Sequence, residues 1–147
     1  MNNQNFDERQ QIERGKAFQW AFGATLLLLL VYFLIDEIFE LCEFSMFFIF
    51  FTSFWVSFAV FSTKAVLKDA LYGINGRASR YCFAVLGILG IFMLVVYSIE
   101  MFQNKALLVD NKLNDSIASI IQSISMIEIF IISETKQIID KHKNAEE

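Results

Sequence analysis

Glu128 is the strongest candidate for chemistry in this sequence, because it is the one ionisable residue inside a long apolar stretch near the C-terminus. A carboxylate within a membrane-spanning helix is costly, so such residues usually face other protein and often mark an ion or proton path. Alternatively, Glu128 lies near the inner interface, where it is protonated or paired with a base such as Lys64. The other long apolar stretches hold no second carboxylate, histidine or arginine that would complete a proton relay.

The two cysteines and the single histidine do not indicate a metal site. Cys42 and Cys82 are expected at opposite sides of a membrane, too far apart for the Cα separation of about 7 Å that a disulfide tolerates. Neither cysteine has neighbours at the spacing of metal ligands. His142 lies in the charged C-terminal segment, where a solvated side chain is the usual case. We therefore expect no metal and no cofactor.

Sequence signatures of catalysis are also missing. The chain contains no nucleophile elbow, zinc-protease motif or Walker loop, and the two glycines of 73–76 are too sparse to cradle a phosphate. Serine is abundant, but no histidine or lysine is placed to activate it. We expect a protein that is not an enzyme and has no catalytic residues.

The composition indicates what must position these residues. The chain has 147 residues, of which 56% are hydrophobic and 19% charged, with a mean hydropathy of +0.49. A soluble domain of this size buries only about 60–70% of its surface, so the excess apolar surface must meet lipid or protein. There is no proline to interrupt a helix and no basic stripe of the kind that binds nucleic acid. An all-α integral membrane protein is predicted.

Three stretches without any charge are long enough to cross a hydrocarbon core of about 30 Å. They are residues 17–35, 44–63 and 81–99, and the second is unusually rich in phenylalanine.

A fourth apolar stretch, residues 116–133, allows two interpretations. One is a fourth span, since the helix would be apolar on most sides. The other is an amphipathic C-terminal helix after three spans, because several residues recur at alternating spacings of four and three, as in a coiled coil. These residues are Leu113, Ile117, Ile120, Ile124, Ile127 and Ile131.

The distribution of basic residues favours four spans with both termini in the cytoplasm. Ten basic residues would then lie inside and two outside, whereas three spans would give seven and five, and cytoplasmic loops normally carry the excess of lysine and arginine. The inner residues would be Arg9, Arg14, Lys16, Lys64, Lys68, Arg77, Arg80, Lys136, Lys141 and Lys143, and the outer ones Lys105 and Lys112.

This topology divides the chain into three parts. Residues 1–16 form a cytoplasmic amphipathic N-terminal tail, in which Arg9 and Glu13 are spaced to support a helix. Residues 17–133 form the transmembrane four-helix bundle, and 134–147 a charged cytoplasmic C-terminal tail. The inner loop should extend the second helix by a few turns and then turn at Asn75-Gly76.

Small residues at helical spacing predict where the helices touch, because they let two backbones approach closely in a membrane. The candidate packing residues are Ala17, Ala21, Thr25, Ser53, Ser57, Ala84, Gly87, Gly90, Ser119 and Ser123. Further members of the fourth-helix stripe are Ser116, Met126 and Ser133. An internal four-helix bundle would use most of these positions. The phenylalanine-rich face of the second helix is left for a membrane partner or a second copy.

The residues before the first span also carry a resemblance. Asp7-Glu8-Arg9, followed by Arg14-Gly15-Lys16-Ala17, resembles the opening of a class of small uncharacterised bacterial four-helix membrane proteins. The resemblance covers roughly the first 25 residues. It implies a bacterial plasma membrane and an accessory or regulatory role, and it implies no catalytic residues.

Three functions are therefore to be weighed. The first is a non-catalytic accessory or regulatory subunit that contacts a membrane partner, or itself, through helix faces. The second is a small oligomeric channel or transporter in which Glu128 lines the path. The third is protection against a membrane-active peptide, which is supported only by the small size and the hydrophobicity of the chain.

Overall fold

The computed structural model describes residues 7–40, 42–70, 77–104, 108–109 and 112–146, and these residues are almost entirely helical. Its elements are α1 (Glu8–Phe33), extended by a π-helical turn (Leu34–Ile38), α2 (Met46–Leu67), α3 (Arg77–Asn104), β1 (Leu108–Val109), β2 (Lys112–Leu113) and α4 (Asp115–Glu146). All four α-helices are long and apolar enough to cross a membrane. The prediction of an all-α protein with four such helices is confirmed. The Asn75-Gly76 turn lies outside the described residues.

The first helix begins well before the apolar stretch. Asp7 caps it by accepting a hydrogen bond from the backbone N–H of Gln10 at 2.6 Å, and the side-chain oxygen of Gln10 accepts the backbone N–H of Asp7. This reciprocal capping box satisfies N–H groups that have no partner within the helix. The N-terminal tail and the first span therefore form one continuous helix from Glu8. Glu13 pairs with Lys16 at 2.7 Å, and this hydrogen bond lowers the pKa of the Glu13 carboxyl.

The four helices are arranged as an open row in the order α1, α2, α4, α3. Extensive packing joins α1 with α2, α2 with α4, and α4 with α3, and within the described chain no comparable packing joins α1 to α3 or α4. The predicted four-helix bundle is thus open, with α1 and α3 at its two edges. The innermost cluster is formed where Ile129 of α4 meets Ala59 of α2 and Phe83 of α3.

Apart from Met126 and Ile129, the buried face of α4 consists of small and polar residues. The isoleucine seam, the residues of α4 that recur at alternating spacings of four and three, does not form the core. Ile124 and Ile131 are exposed, and the other seam residues are half-buried. This pattern is typical of membrane helices, in which lipid is as apolar as leucine and small residues mediate contact. It favours the four-span interpretation over a coiled-coil tail. The buried residues are Ala118, Ser119, Gln122, Ser123, Ser125, Met126, Ile129 and Ser133.

Contacts at one end of the row are centred on Asp69, directly after α2. Its backbone is left-handed (φ 56°), and Asp69 and Ala70 donate N–H bonds back to Val66 and Ala65, which closes the helix in a Schellman motif. The Asp69 carbonyl accepts a bond from the Gln10 side chain at 3.0 Å. Its carboxylate lies 3.4 Å from Lys136 of α4. Asp69 therefore connects α1, α2 and α4, and we call this the inner end, after the topology predicted from the sequence.

At the opposite, outer end, α2 and α4 both begin. Ser45 caps α2 by accepting the N–H of Phe48 at 2.9 Å, and its hydroxyl donates to Asp115, the first residue of α4. The strands β1 and β2 form a short antiparallel hairpin that the sequence did not predict, and β2 bridges to Glu43. These contacts show that α2 and α4 run parallel to each other, with α3 antiparallel to both.

Candidate functional site

The helices α3 and α4 approach each other closely at two glycines. A Cβ atom at Gly87 would come within 2.5 Å of the Phe130 ring. A Cβ atom at Gly90 would lie 2.9 Å from the Cβ of Met126 and 3.0 Å from the Ser123 carbonyl oxygen. Real Cβ contacts are not this short, so the absence of a side chain at these glycines is what allows the two helices to approach.

The α1–α2 contact is built from alanines and hydroxyls. Ala17 and Ala21 are buried against α2. The Thr25 hydroxyl lies 3.0 Å from the Ala21 carbonyl oxygen and 2.6 Å from the Ser57 hydroxyl of α2. Because Thr25 has one hydroxyl proton and gives it to Ala21, Ser57 is the donor in the pair. A second bond of this kind joins Tyr32 to Thr52 nearer the outer end.

The structure places all ten candidate packing residues at buried or half-buried positions. Ala17, Ala21, Ser53, Gly87, Gly90, Ser119 and Ser123 are buried, and Thr25, Ser57 and Ala84 are half-buried. They do not form one site, since they divide between the α1–α2 and α3–α4 contacts. These spacings do not predict the central position of α4, because small residues indicate that a helix packs on a neighbour but not which neighbour it is.

Glu128 is exposed on the outside of the row, at the groove between α2 and α4. This groove is a cavity of about 230 Å³ lined by Val56, Ala59, Val60, Ile121, Ile124, Ser125 and Glu128. The valines lie in the middle of α2, so the carboxylate stands beside an apolar wall far from either helix end. Eight residues separate Glu128 from Lys136 at the inner end, or about 12 Å along the helix.

Within the part of the chain that the structure describes, Glu128 forms no ion pair. Lys64, considered above as its partner, lies instead over the Trp20 ring of α1, 4.8 Å from the ring centroid. Such a lysine–tryptophan contact is a cation–π interaction and suits the level of a membrane interface. The Glu128 carboxylate thus faces outward, and no described residue forms an ion pair with it.

A larger cleft, which the sequence did not predict, separates α1 from α2 on one side of their contact. It has a volume of about 720 Å³ and walls of aromatic and aliphatic side chains. Its residues are Phe18, Ala21, Phe22, Thr25 and Leu29 of α1, with Met46, Ile49, Phe50, Ser53, Phe54, Ser57, Phe58 and Phe61 of α2. The phenylalanine-rich composition of α2 was the available signal, but it did not reveal a cleft between α1 and α2. Ser53 lies at the floor, and among the described residues its buried hydroxyl has no hydrogen-bond partner.

The remaining candidates are scattered. Cys42 precedes α2 at the outer end and Cys82 lies in the first turns of α3 at the inner end, and both are free thiols. His142 is exposed near the end of α4. In the described ranges no three histidine, cysteine or acidic residues are grouped so that they could hold a metal ion.

Comparison of the chain with protein-family models, with curated proteins and with solved structures gave no match.

Proposed function

We propose that this chain is a multi-pass integral membrane protein with both termini in the cytoplasm, where it acts as a non-catalytic accessory or regulatory subunit. Its helix faces would contact a membrane-protein partner or a second copy. The four apolar helices support insertion. The excess of basic residues at the side of the termini supports the orientation. The resemblance at Asp7-Glu8-Arg9 favours a bacterial plasma membrane.

The outward-facing Glu128 carboxylate is the observation that carries this proposal. A charged group in hydrocarbon is expensive, so intramembrane carboxylates pair with other groups or face protein or water. Glu128 has an apolar wall on one side and no ion-pair partner in the described chain. A partner helix that offers a base or a hydrogen-bond donor at the α2–α4 groove would remove this cost. We therefore place the contact with the partner at this groove.

Purification in a mild detergent tests the proposal. The tagged wild-type protein should elute as a complex, either with a co-purifying membrane protein or as an oligomer, with its mass measured by light scattering. Glu128→Ala should weaken the complex by about fivefold to thirtyfold, the range for one hydrogen-bonded contact of about 1–2 kcal/mol between membrane helices. Glu128→Gln keeps hydrogen-bonding capacity and should lose less.

Glu134→Ala is the matched control, because Glu134 lies on the same helix nearer its charged end. It should leave the complex intact. A wild-type protein that is monomeric and carries no partner would exclude the accessory role. Equal losses from Glu128→Ala and Glu134→Ala would exclude the α2–α4 groove as the contact.

The second candidate function is a small oligomeric channel or transporter in which the same groove lines a path. It is favoured by the proximity of Glu128 to Ser125 in a cavity of about 230 Å³. Vesicles that contain the purified protein should then conduct cations or protons, and Glu128→Gln should abolish the flux. Wild-type vesicles without flux would exclude this candidate and leave the accessory role intact.

The two native cysteines test the orientation. A Cys82→Ser variant retains Cys42 at the outer end and should react with a membrane-impermeant maleimide added to intact cells. A Cys42→Ser variant retains Cys82 at the inner end and should react only after lysis. The reverse pattern would overturn the proposed topology.

A further inference from the structure

The cleft between α1 and α2 is long, narrow and apolar. Its wall on α2 extends from Met46 to Phe61, about 22 Å at 1.5 Å per residue. The cleft thus covers most of a hydrocarbon core of about 30 Å, and it is open along one side.

Basic residues continue the cleft walls beyond the inner mouth. On α2, Lys64 and Lys68 follow Phe61 by three and seven residues and lie on the same helix face. On α1, Arg14 precedes Phe18 by four residues and continues its face. The nearby Glu13 carboxylate is already paired with Lys16 at 2.7 Å. Asp69, which follows Lys68, is likewise paired with Lys136 at 3.4 Å, so the described residues at the inner mouth carry an excess of positive charge.

We propose that this cleft binds one anionic phospholipid of the inner leaflet. An acyl chain lies in the cleft, and the headgroup phosphate lies beside Lys68 at the mouth, while Lys64, one turn deeper, lies over the Trp20 ring. Basic residues beside transmembrane helices on the cytoplasmic side recognise anionic headgroups in this way. The inference rests on the membrane insertion proposed above, but it does not require a protein partner.

A transmembrane helix fits the cleft less well than an acyl chain does. A helix with its side chains is about 10 Å across, so it would lie against the open side of the cleft. Only the side chains of a helix could enter. A helix would also have to bring acidic residues to the inner mouth, whereas cytoplasmic ends are normally basic. The Ser53 hydroxyl is the one feature that would favour a helix, because it could bond to a backbone carbonyl at that depth.

Photolabelling in vesicles tests the site. The full-length protein is reconstituted in phosphatidylcholine with a trace of phosphatidylglycerol whose acyl chain carries a diazirine, and the labelled peptides are mapped by mass spectrometry. Label should concentrate on the cleft segments of α1 and α2. A phosphatidylcholine probe with the same chain should label them much less. Lys68→Gln should reduce phosphatidylglycerol labelling about fivefold, since one base near the membrane surface contributes about 1 kcal/mol.

Two further variants identify the occupant. Lys141→Gln removes an exposed lysine from α4, away from the cleft, and should leave the labelling unchanged. Ser53→Ala should also leave it unchanged, because an acyl chain makes no use of the hydroxyl. Lys64 also contacts Trp20. A loss of labelling with Lys64→Gln therefore supports the site only if Lys68→Gln, at the end of α2, shows a loss as well.

Three results would overturn the proposal. The first is equal labelling by the two lipid probes, and the second is an equal loss with Lys141→Gln. The third is a cleft without label in which Ser53→Cys cross-links to a second protein, which would show that a helix occupies it. None of these results bears on the accessory role at Glu128, which has its own test.

Discussion

The hydroxyl oxygens of Thr25 on α1 and Ser57 on α2 lie 2.6 Å apart, near the middle of both helices. Since α1 is the least buried of the four helices and packs mainly on α2, this bond and the Tyr32–Thr52 bond are important for its position. An open row of helices thus depends on a few polar contacts at its edge.

Thr25→Val and Ser57→Ala should each destabilise the protein, and the double variant should lose less than the two singles combined. A coupling energy of about 1 kcal/mol is expected, typical of hydrogen bonds between membrane helices. The measurement is the free energy of unfolding in mixed micelles titrated with SDS. Thr135→Val, at an exposed position of α4, is the matched control and should change little. Strict additivity would show that the 2.6 Å bond contributes nothing.

Replacing the interface glycines Gly87 and Gly90 with alanine should destabilise the protein, whereas the same replacement at Gly23 should stabilise it. Gly90→Ala places a Cβ 3.0 Å from the Ser123 carbonyl oxygen, a backbone atom that cannot move alone, and should cost about 1–3 kcal/mol. Gly87→Ala meets the Phe130 ring and should also destabilise. Gly23→Ala meets nothing within 4 Å and should stabilise α1 by about 0.5–1 kcal/mol. The same SDS titration measures all three, and a destabilising Gly23→Ala would contradict the assigned packing.

The sequence predicts the helices better than their order, and the membrane insertion proposed above gives a physical reason for this. Uncharged length alone indicates a helix that can span, so the stretches 17–35, 44–63 and 81–99 needed no knowledge of their neighbours. Within a membrane, lipid competes equally for apolar side chains, so the isoleucine seam of α4 did not predict which residues are buried. The sequence predicted Gly87 and Gly90 as contact residues. It did not predict that Phe130 and Met126 would face them.

The candidate site was predictable in the same limited way. The charge pattern identified Glu128 as unusual, but which side of α4 it occupies depends on where α2 packs. That position is fixed by contacts of Ser45 with Asp115 and of Asp69 with Lys136, between residues distant in sequence. The cleft depends on how α1 and α2 pack on each other, which no local sequence pattern predicts.

Substitutions of Asp69 separate its backbone role from its charge. Its φ of 56° is tolerated by asparagine, whereas a β-branched residue there costs about 1–2 kcal/mol. Asp69→Asn should therefore lose only the half-exposed ion pair with Lys136, about 1 kcal/mol, and Asp69→Val should lose clearly more. Unfolding of both variants is measured as above. If both variants lose the same amount, the ion pair and not the left-handed turn is what stabilises the inner end.

Lys136 should make stability sensitive to alkaline pH. Its hydrogen bond to Asp140 at 3.1 Å, supported by the charge of Asp69, raises the pKa of Lys136 above its ordinary value of 10.5. A raised pKa in the folded state means that the stabilisation is fully present below about pH 10.5 and is lost as the pH rises through the higher folded value. Between neutral pH and about pH 9, the contribution should be constant.

Lys136→Gln should thus be less stable than the wild type at neutral pH, and the difference should disappear above the raised pKa. Lys136→Arg stays protonated past pH 12, so it should keep its stability where the wild type loses it. Lys141→Gln, which removes an exposed lysine of the same helix, should follow the wild-type curve. The measurement is the free energy of unfolding from neutral pH upward. Parallel curves for Lys136→Gln and the wild type would contradict the assigned role of Lys136, because a group with a raised pKa must release its proton more easily on unfolding.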